Sequence, residues 1–118
     1  TNLHADILSD LAAALSGSIG VAPTANLNPE RETPSMFEPI HGSAFDITGK
    51  GVANPVATFW TAAMMMEHLG EKPASDRLML AVETVTADTG LHTPDLGGTA
   101  TTRMVTDAVI GAIRGRNA

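Results

Sequence analysis

Three observations predict an α/β fold for this chain: amphipathic helical periodicity at its start, two short apolar runs broken by Gly and Pro in its first third, and helical stretches through most of its second half. The 118 residues make at most one domain, and 1–118 shows no internal boundary, repeat or linker.

Leu3, Ile7, Leu8, Leu11, Ala14 and Leu15 recur at the spacing of one helical face, which predicts a helix over 3–15, stopped by Ser16, Gly17 and Ser18. Residues 19–25 are short and apolar with Gly20 and Pro23 inside them, as suits a strand running into a loop. The polar stretch 26–34 carries the turn pair Asn28-Pro29, and 36–40 is a second short strand. Residues 41–51 are Gly-rich and irregular, the candidate ligand loop. Asn54-Pro55 has the form of an N-cap followed by Pro in the first turn, opening a helix that runs through Leu69 to Gly70. That helix has little polar surface and is expected to be buried on most sides. Further helices are predicted over 74–87, closed near Gly90, and over 101–114, with a loop at 93–98 between them.

Composition excludes several classes of function. No apolar run approaches the roughly 18 residues of a membrane-spanning helix. A net charge of −6 repels a phosphate backbone, so nucleic acid is not an expected partner. The absence of Cys removes disulfides and thiolate zinc sites and fits an intracellular protein, expected to be cytoplasmic. The opening Thr1-Asn2-Leu3 has no initiator Met and no leader-like pattern, and reads as the start of a fragment.

Asp6 and Asp10 lie one turn apart on the first helix, about 40° from each other around its axis, where two carboxylates can share a hard cation. Two oxygens do not complete a Mg²⁺ or Mn²⁺ site, and from spacing alone a pair of solvated surface acids is the commoner arrangement. His41, Gly42, Ser43 and Ala44 offer close backbone approach, amides and a hydroxyl suited to a nucleotide, and a plain turn is the alternative. An acid at Asp46 could accept both hydroxyls of an adenosine ribose while repelling a 2′-phosphate; otherwise it caps an Asx-type turn. The usual GxGxxG dinucleotide fingerprint is absent, so any NAD site is of another design. Met64, Met65 and Met66 face different directions on a helix and read as packing residues.

Taken together and in order, Asp6-Ile7-Leu8-Ser9-Asp10, Gly17-Ser18-Ile19-Gly20, Glu38-Pro39-Ile40-His41-Gly42-Ser43-Ala44, Asp46-Ile47, Gly49-Lys50-Gly51, Ala53-Asn54-Pro55 and Thr93-Pro94-Asp95-Leu96-Gly97-Gly98 resemble the C-terminal part of the isocitrate/isopropylmalate dehydrogenase family. Residues 26–38, with Trp60 after Ala57-Thr58-Phe59, resemble its tartrate dehydrogenase/D-malate dehydrogenase branch.

The resemblance implies an isopropylmalate-dehydrogenase-like fold, represented by its C-terminal portion. It further implies NAD- and Mg²⁺- or Mn²⁺-dependent oxidation, with decarboxylation, of a small 2-hydroxy dicarboxylic acid, by a homodimer. Asp6 and Asp10 match the family's metal carboxylates, with a third acid from the partner subunit. Gly20 and Thr24 match positions near the cofactor, Glu38 its nicotinamide end, and residues 41–44 the nucleotide lining. Asp46 matches the ribose-binding acid and Asn54 the adenine contact. Phe45 departs from the pattern, since the family usually has Pro there. The family's substrate arginines and its proton-moving Tyr and Lys match no position here, so the 118 residues, which contain no Tyr, are expected to be inactive alone. A 3-isopropylmalate dehydrogenase and a non-catalytic regulatory paralogue are the alternatives, the second opposed by the retention of Asp6, Asp10, His41, Asp46 and Asn54 together.

Overall fold

The computed structural model describes residues 2–115. Helix α1 (Asn2–Ser16) forms where the periodicity predicts it, and Gly17 ends it in the left-handed region at φ 104°. The next turn corrects the sequence expectation. Residues 19–21 form a 3-10 turn instead of the start of a strand, because the Ser18 hydroxyl accepts the Gly20 amide at 2.9 Å and caps it.

The strand itself is β1 (Pro23–Asn26), paired antiparallel with β2 (Met36–Pro39) in the register Pro23 to Pro39, Thr24 to Glu38, Ala25 to Phe37 and Asn26 to Met36. Both prolines sit at the open end of the ladder, where a missing N–H costs least. The connecting loop is fastened internally by Asn28, whose side-chain amide donates to the Thr33 carbonyl and hydroxyl. It is fastened externally by Arg31, whose guanidinium donates to the His68 carbonyl at 2.8 Å.

Helix α2 (Val56–His68) opens with the Asn54 Oδ1 accepting the Val56 amide at 3.0 Å. The cap is shifted by one position from the sequence expectation: Pro55 is itself the N-cap and Asn54 stands just before it, its side chain reaching over to the first helical amide. Helix α3 (Lys72–Ala87) begins two residues earlier than expected, with Pro73 in its first turn, and α4 (Thr102–Ile113) is capped by the Thr101 hydroxyl accepting from Met104 N. The core lies among α2, α3 and α4 and is built from Val56, Ala63, Leu78, Ala81, Val82, Val85, Ala100, Val105 and Val109. Small and β-branched side chains let these helices approach closely, and the β hairpin packs on α2 from the other side. The α2 surface follows the sequence reading in part: Ala57, Thr61 and Ala63 are buried and Met66 packs on the core, while Trp60 and Met65 face outward.

Helix α1 stands apart from this core. Among its residues whose burial is described, Ala13 alone is buried, and its apolar stripe is open, Leu8 at 67% and Leu15 at 83% exposure. No described helix is long and apolar enough to cross a membrane.

Candidate nucleotide cleft and metal-ligating pair

A cleft of about 670 Å³ opens between the turn after α1, the Gly-rich loop and the approach to α4. Its walls include Gly20, His41, Gly42, Ser43, Ala44 and Asn54, six of the nine residues that the sequence assigns to a cofactor. Gly20, just after α1, and Asn54, just before α2, are remote in sequence and do not meet by local structure alone. They meet because the hairpin returns the chain over α2 and the helix caps fix both ends.

Gly20 is buried at the base of the cleft, where a Cβ would stand 2.6 Å from Asp95 Oδ2, 2.9 Å from Asn54 Cβ and 3.2 Å from Ser18 Oγ. Glycine is therefore required there for close approach. Gly42, by contrast, has nothing within 4 Å of the Cβ position, so its surroundings are open to a ligand. Ala44 adopts the left-handed conformation, φ 44° and ψ 57°, and turns the chain into the short 3-10 segment Phe45–Ile47. A non-glycine residue there stores strain, of the kind concentrated at ligand loops.

Asp46 lies exposed in that segment beside Ile47, which lines the cleft, although Asp46 is not itself part of the wall. Thr24 and Glu38 are not brought to it either. They face each other across the hairpin as direct cross-strand partners, Thr24 half-buried and Glu38 exposed. Asn54 lines the cleft with its side chain already engaged, Oδ1 on Val56 N and Nδ2 on Asp95 Oδ2 at 3.0 Å. What it can still offer a ligand is one amide hydrogen and its main chain.

Asp95 is the residue sequence reasoning missed. It belongs to the tail motif, yet nothing in its spacing points to a contact with Ser18, 77 positions away. Its Oδ2 accepts from Ser18 Oγ at 2.5 Å and from Asn54 Nδ2, and its Oδ1 accepts from Thr93 Oγ1 at 2.5 Å. Burial pushes this carboxyl up, but the hydrogen bonds from Ser18, Thr93, Asn54 and its own backbone outweigh that and hold it below the usual carboxylate value. The only available signal was the Thr-x-Asp spacing, since Thr93 is two residues before Asp95.

The far lip of the cleft is tied to α4. Thr102 N donates to the Gly51 carbonyl at 2.9 Å and Thr102 Oγ1 to the Ala53 carbonyl at 2.5 Å. On the loop after α3, Gly98 lies so close to His92 that a Cβ would stand 2.0 Å from its carbonyl oxygen, which closes residues 92–98 into a fixed turn.

Asp6 and Asp10 are both exposed on α1, one turn apart as their spacing requires. Among the described residues no group of three or more His, Cys, Asp or Glu side chains could hold a metal ion, so the pair alone does not make a site.

With this geometry in hand, comparison with known proteins gives a consistent answer. The model of the isocitrate/isopropylmalate dehydrogenase family matches residues 1–112. A protein of Agrobacterium vitis named "probable tartrate dehydrogenase/decarboxylase" is 76% identical over 117 residues, 99% of this chain and 32% of that protein. The D-malate dehydrogenase [decarboxylating] of Escherichia coli (strain K12) is 54% identical over 114 residues, 92% of this chain and 31% of that protein. The crystal structure of isocitrate dehydrogenase from Methylococcus capsulatus superposes with a TM-score of 0.84 at 42% identity, covering 92% of this chain and 32% of that one. The chain thus spans about a third of the length of the curated relatives it matches.

Proposed function

This chain belongs to the isocitrate/isopropylmalate dehydrogenase family, and on that premise we propose that it supplies the adenosine half of an NAD site and two metal carboxylates to a decarboxylating dehydrogenase of 2-hydroxy dicarboxylic acids, with tartrate or D-malate as substrate. The observation that carries the proposal is the cleft. It gathers Gly20, residues 41–44 and Asn54 around a volume that suits a nucleotide, with open space at Gly42 and a glycine-only contact at Gly20. The substrate branch is supported by the names of the relatives and by the residues 26–38 and Trp60.

When bound, NAD supplies the hydride acceptor and Mg²⁺ or Mn²⁺ the Lewis acid. The chain's own residues bind and select. The main chain at Gly42 and the Ser43 hydroxyl face the nucleotide, and Asn54 turns its remaining amide hydrogen and main chain to the adenine. The Asp46 carboxylate accepts the ribose hydroxyls from the rim, and Thr24 and Glu38 reach the nicotinamide end from the hairpin. Asp6 and Asp10 would hold the cation together with an acid of a second copy. The open apolar stripe of α1, Leu8 and Leu15 among its residues, supports a homodimer packed on that helix.

The test is an assay of the full-length protein for NADH formation with tartrate, D-malate and 3-isopropylmalate in the presence of Mn²⁺. Turnover of tartrate or D-malate, abolished by chelation, is expected, with 3-isopropylmalate the poorer substrate. Preference for 3-isopropylmalate would move the protein to the other branch, and no NADH with any of the three would remove the activity. The isolated 118 residues are expected to give no turnover.

A further inference from the structure

We propose that Asp95 is the positioning residue of the cleft: by accepting from Ser18, Asn54 and Thr93 at once, it fixes the separation of three segments that are remote in sequence and face the nucleotide. The part of this that concerns NAD rests on the function proposed above; the clamp itself does not.

Two of the three partners of Asp95 pass the constraint on to a main-chain amide. Ser18 Oγ donates to Asp95 and accepts the Gly20 amide at 2.9 Å, so the carboxylate fixes both the hydroxyl and the turn that carries Gly20. Asn54 Nδ2 donates to Asp95 while its Oδ1 accepts the Val56 amide at 3.0 Å, so the same carboxylate orients the start of α2. An amide side chain that could flip is held in one orientation because only a donor can face Asp95 and only an acceptor can face Val56 N. Thr93, 1% exposed, ties the third segment from below. Gly20 fills the remaining gap, where a Cβ would stand 2.6 Å from Asp95 Oδ2. A hydrophobic contact would leave these segments free to slide, whereas three donors converging on one carboxylate define distance and direction together.

Asp95 and Pro94 are themselves in the cleft wall. Their position makes a small displacement of the clamp a change in the shape of the site. In the full-length enzyme, Asp95→Ala is expected to raise the KM for NAD about tenfold or more, with kcat and the KM for the diacid changed by no more than about twofold. Ser18→Ala is expected to act in the same direction, and the double variant to be no worse than Asp95→Ala alone, because both remove one coupled unit. Hydrogen exchange gives a readout that needs no cofactor. The amides of Gly20 and Val56 should exchange faster in Asp95→Ala while those of Val105 and Val109 in the α4 core keep their protection. If Asp95→Ala does not fold, Ser18→Ala carries the same two measurements.

Unchanged KM for NAD in both variants, additive effects in the double variant, or equal loosening of the α4 core and of Gly20 would each overturn the proposal. A wild-type protein that fails to bind NAD, yet shows the Asp95-dependent protection of Gly20 and Val56, would remove the NAD reading and leave the clamp standing.

Discussion

Gly20 lies so close to Asp95 that a Cβ on it would stand 2.6 Å from the Oδ2 atom, a contact that no side chain can make without moving the carboxylate. The second neighbour, Asn54 Cβ at 2.9 Å, is no flexible tip that could swing away. Gly20→Ala is therefore expected to cost about 1 to 3 kcal/mol of stability, as overpacking does. Chemical denaturation of the variant measures it. Gly42→Ala, with nothing within 4 Å, should be near neutral to folding and act only on nucleotide affinity.

The protonation of Asp95 gives a pH dependence with a definite sign. Hydrogen bonds hold its folded carboxyl below the usual value, so the unfolded chain, titrating at about pH 4, takes up the proton more readily. The stability it contributes is complete above about pH 5 and drains away as pH falls through the folded value. Acid denaturation followed by circular dichroism should therefore be steeper below pH 4 for the wild type than for Asp95→Asn, with no difference in slope between pH 6 and 8.

In the proposed function, cofactor choice rests on Asp46. Its exposed carboxylate beside the cleft rim would face the 2′-phosphate of NADP at a few ångströms, a repulsion of about 1 to 4 kcal/mol depending on the local dielectric. The full-length enzyme should prefer NAD, and Asp46→Asn should narrow the ratio of kcat/KM between the two cofactors. An unchanged ratio would assign selectivity elsewhere.

In the proposed function, metal activation rests on Asp6 and Asp10. With only two donors on α1 and no third among the described residues, losing one is expected to raise the Mn²⁺ concentration needed for half-activation of the full-length enzyme by at least about tenfold. Titration of Asp10→Asn with Mn²⁺ measures this, and identical activation curves would refute the role.

The sequence was most readable where structure is local. The periodicity of α1 and the helical stretches of α3 and α4 are properties of neighbouring residues, and each forms close to where its pattern predicts, while the Asn54-Pro55 pair falls one position ahead of its expected place at α2. The apolar run 19–25 misled, because a strand and a capped turn are both compatible with it and the Ser18 hydroxyl decided for the turn. Residues 41–44, singled out as a ligand loop, do line the cleft. Asp95 could not be given its role, since its partners lie 41 and 77 positions away and a carboxylate in a Pro-Asp loop has many uses. Nor does spacing reveal that Thr24 and Glu38 are a cross-strand pair, because hairpin register is set by how the loop 27–35 closes on Asn28.

Whether this cleft receives the adenosine of NAD is decided by photolabelling. The full-length protein would be irradiated with an NAD analogue carrying an azide on the adenine, with and without excess NAD, and the labelled peptides mapped. Label within residues 41–54 or 93–98, suppressed by NAD, is the predicted result. NAD-protected label confined to other parts of the protein would contradict it.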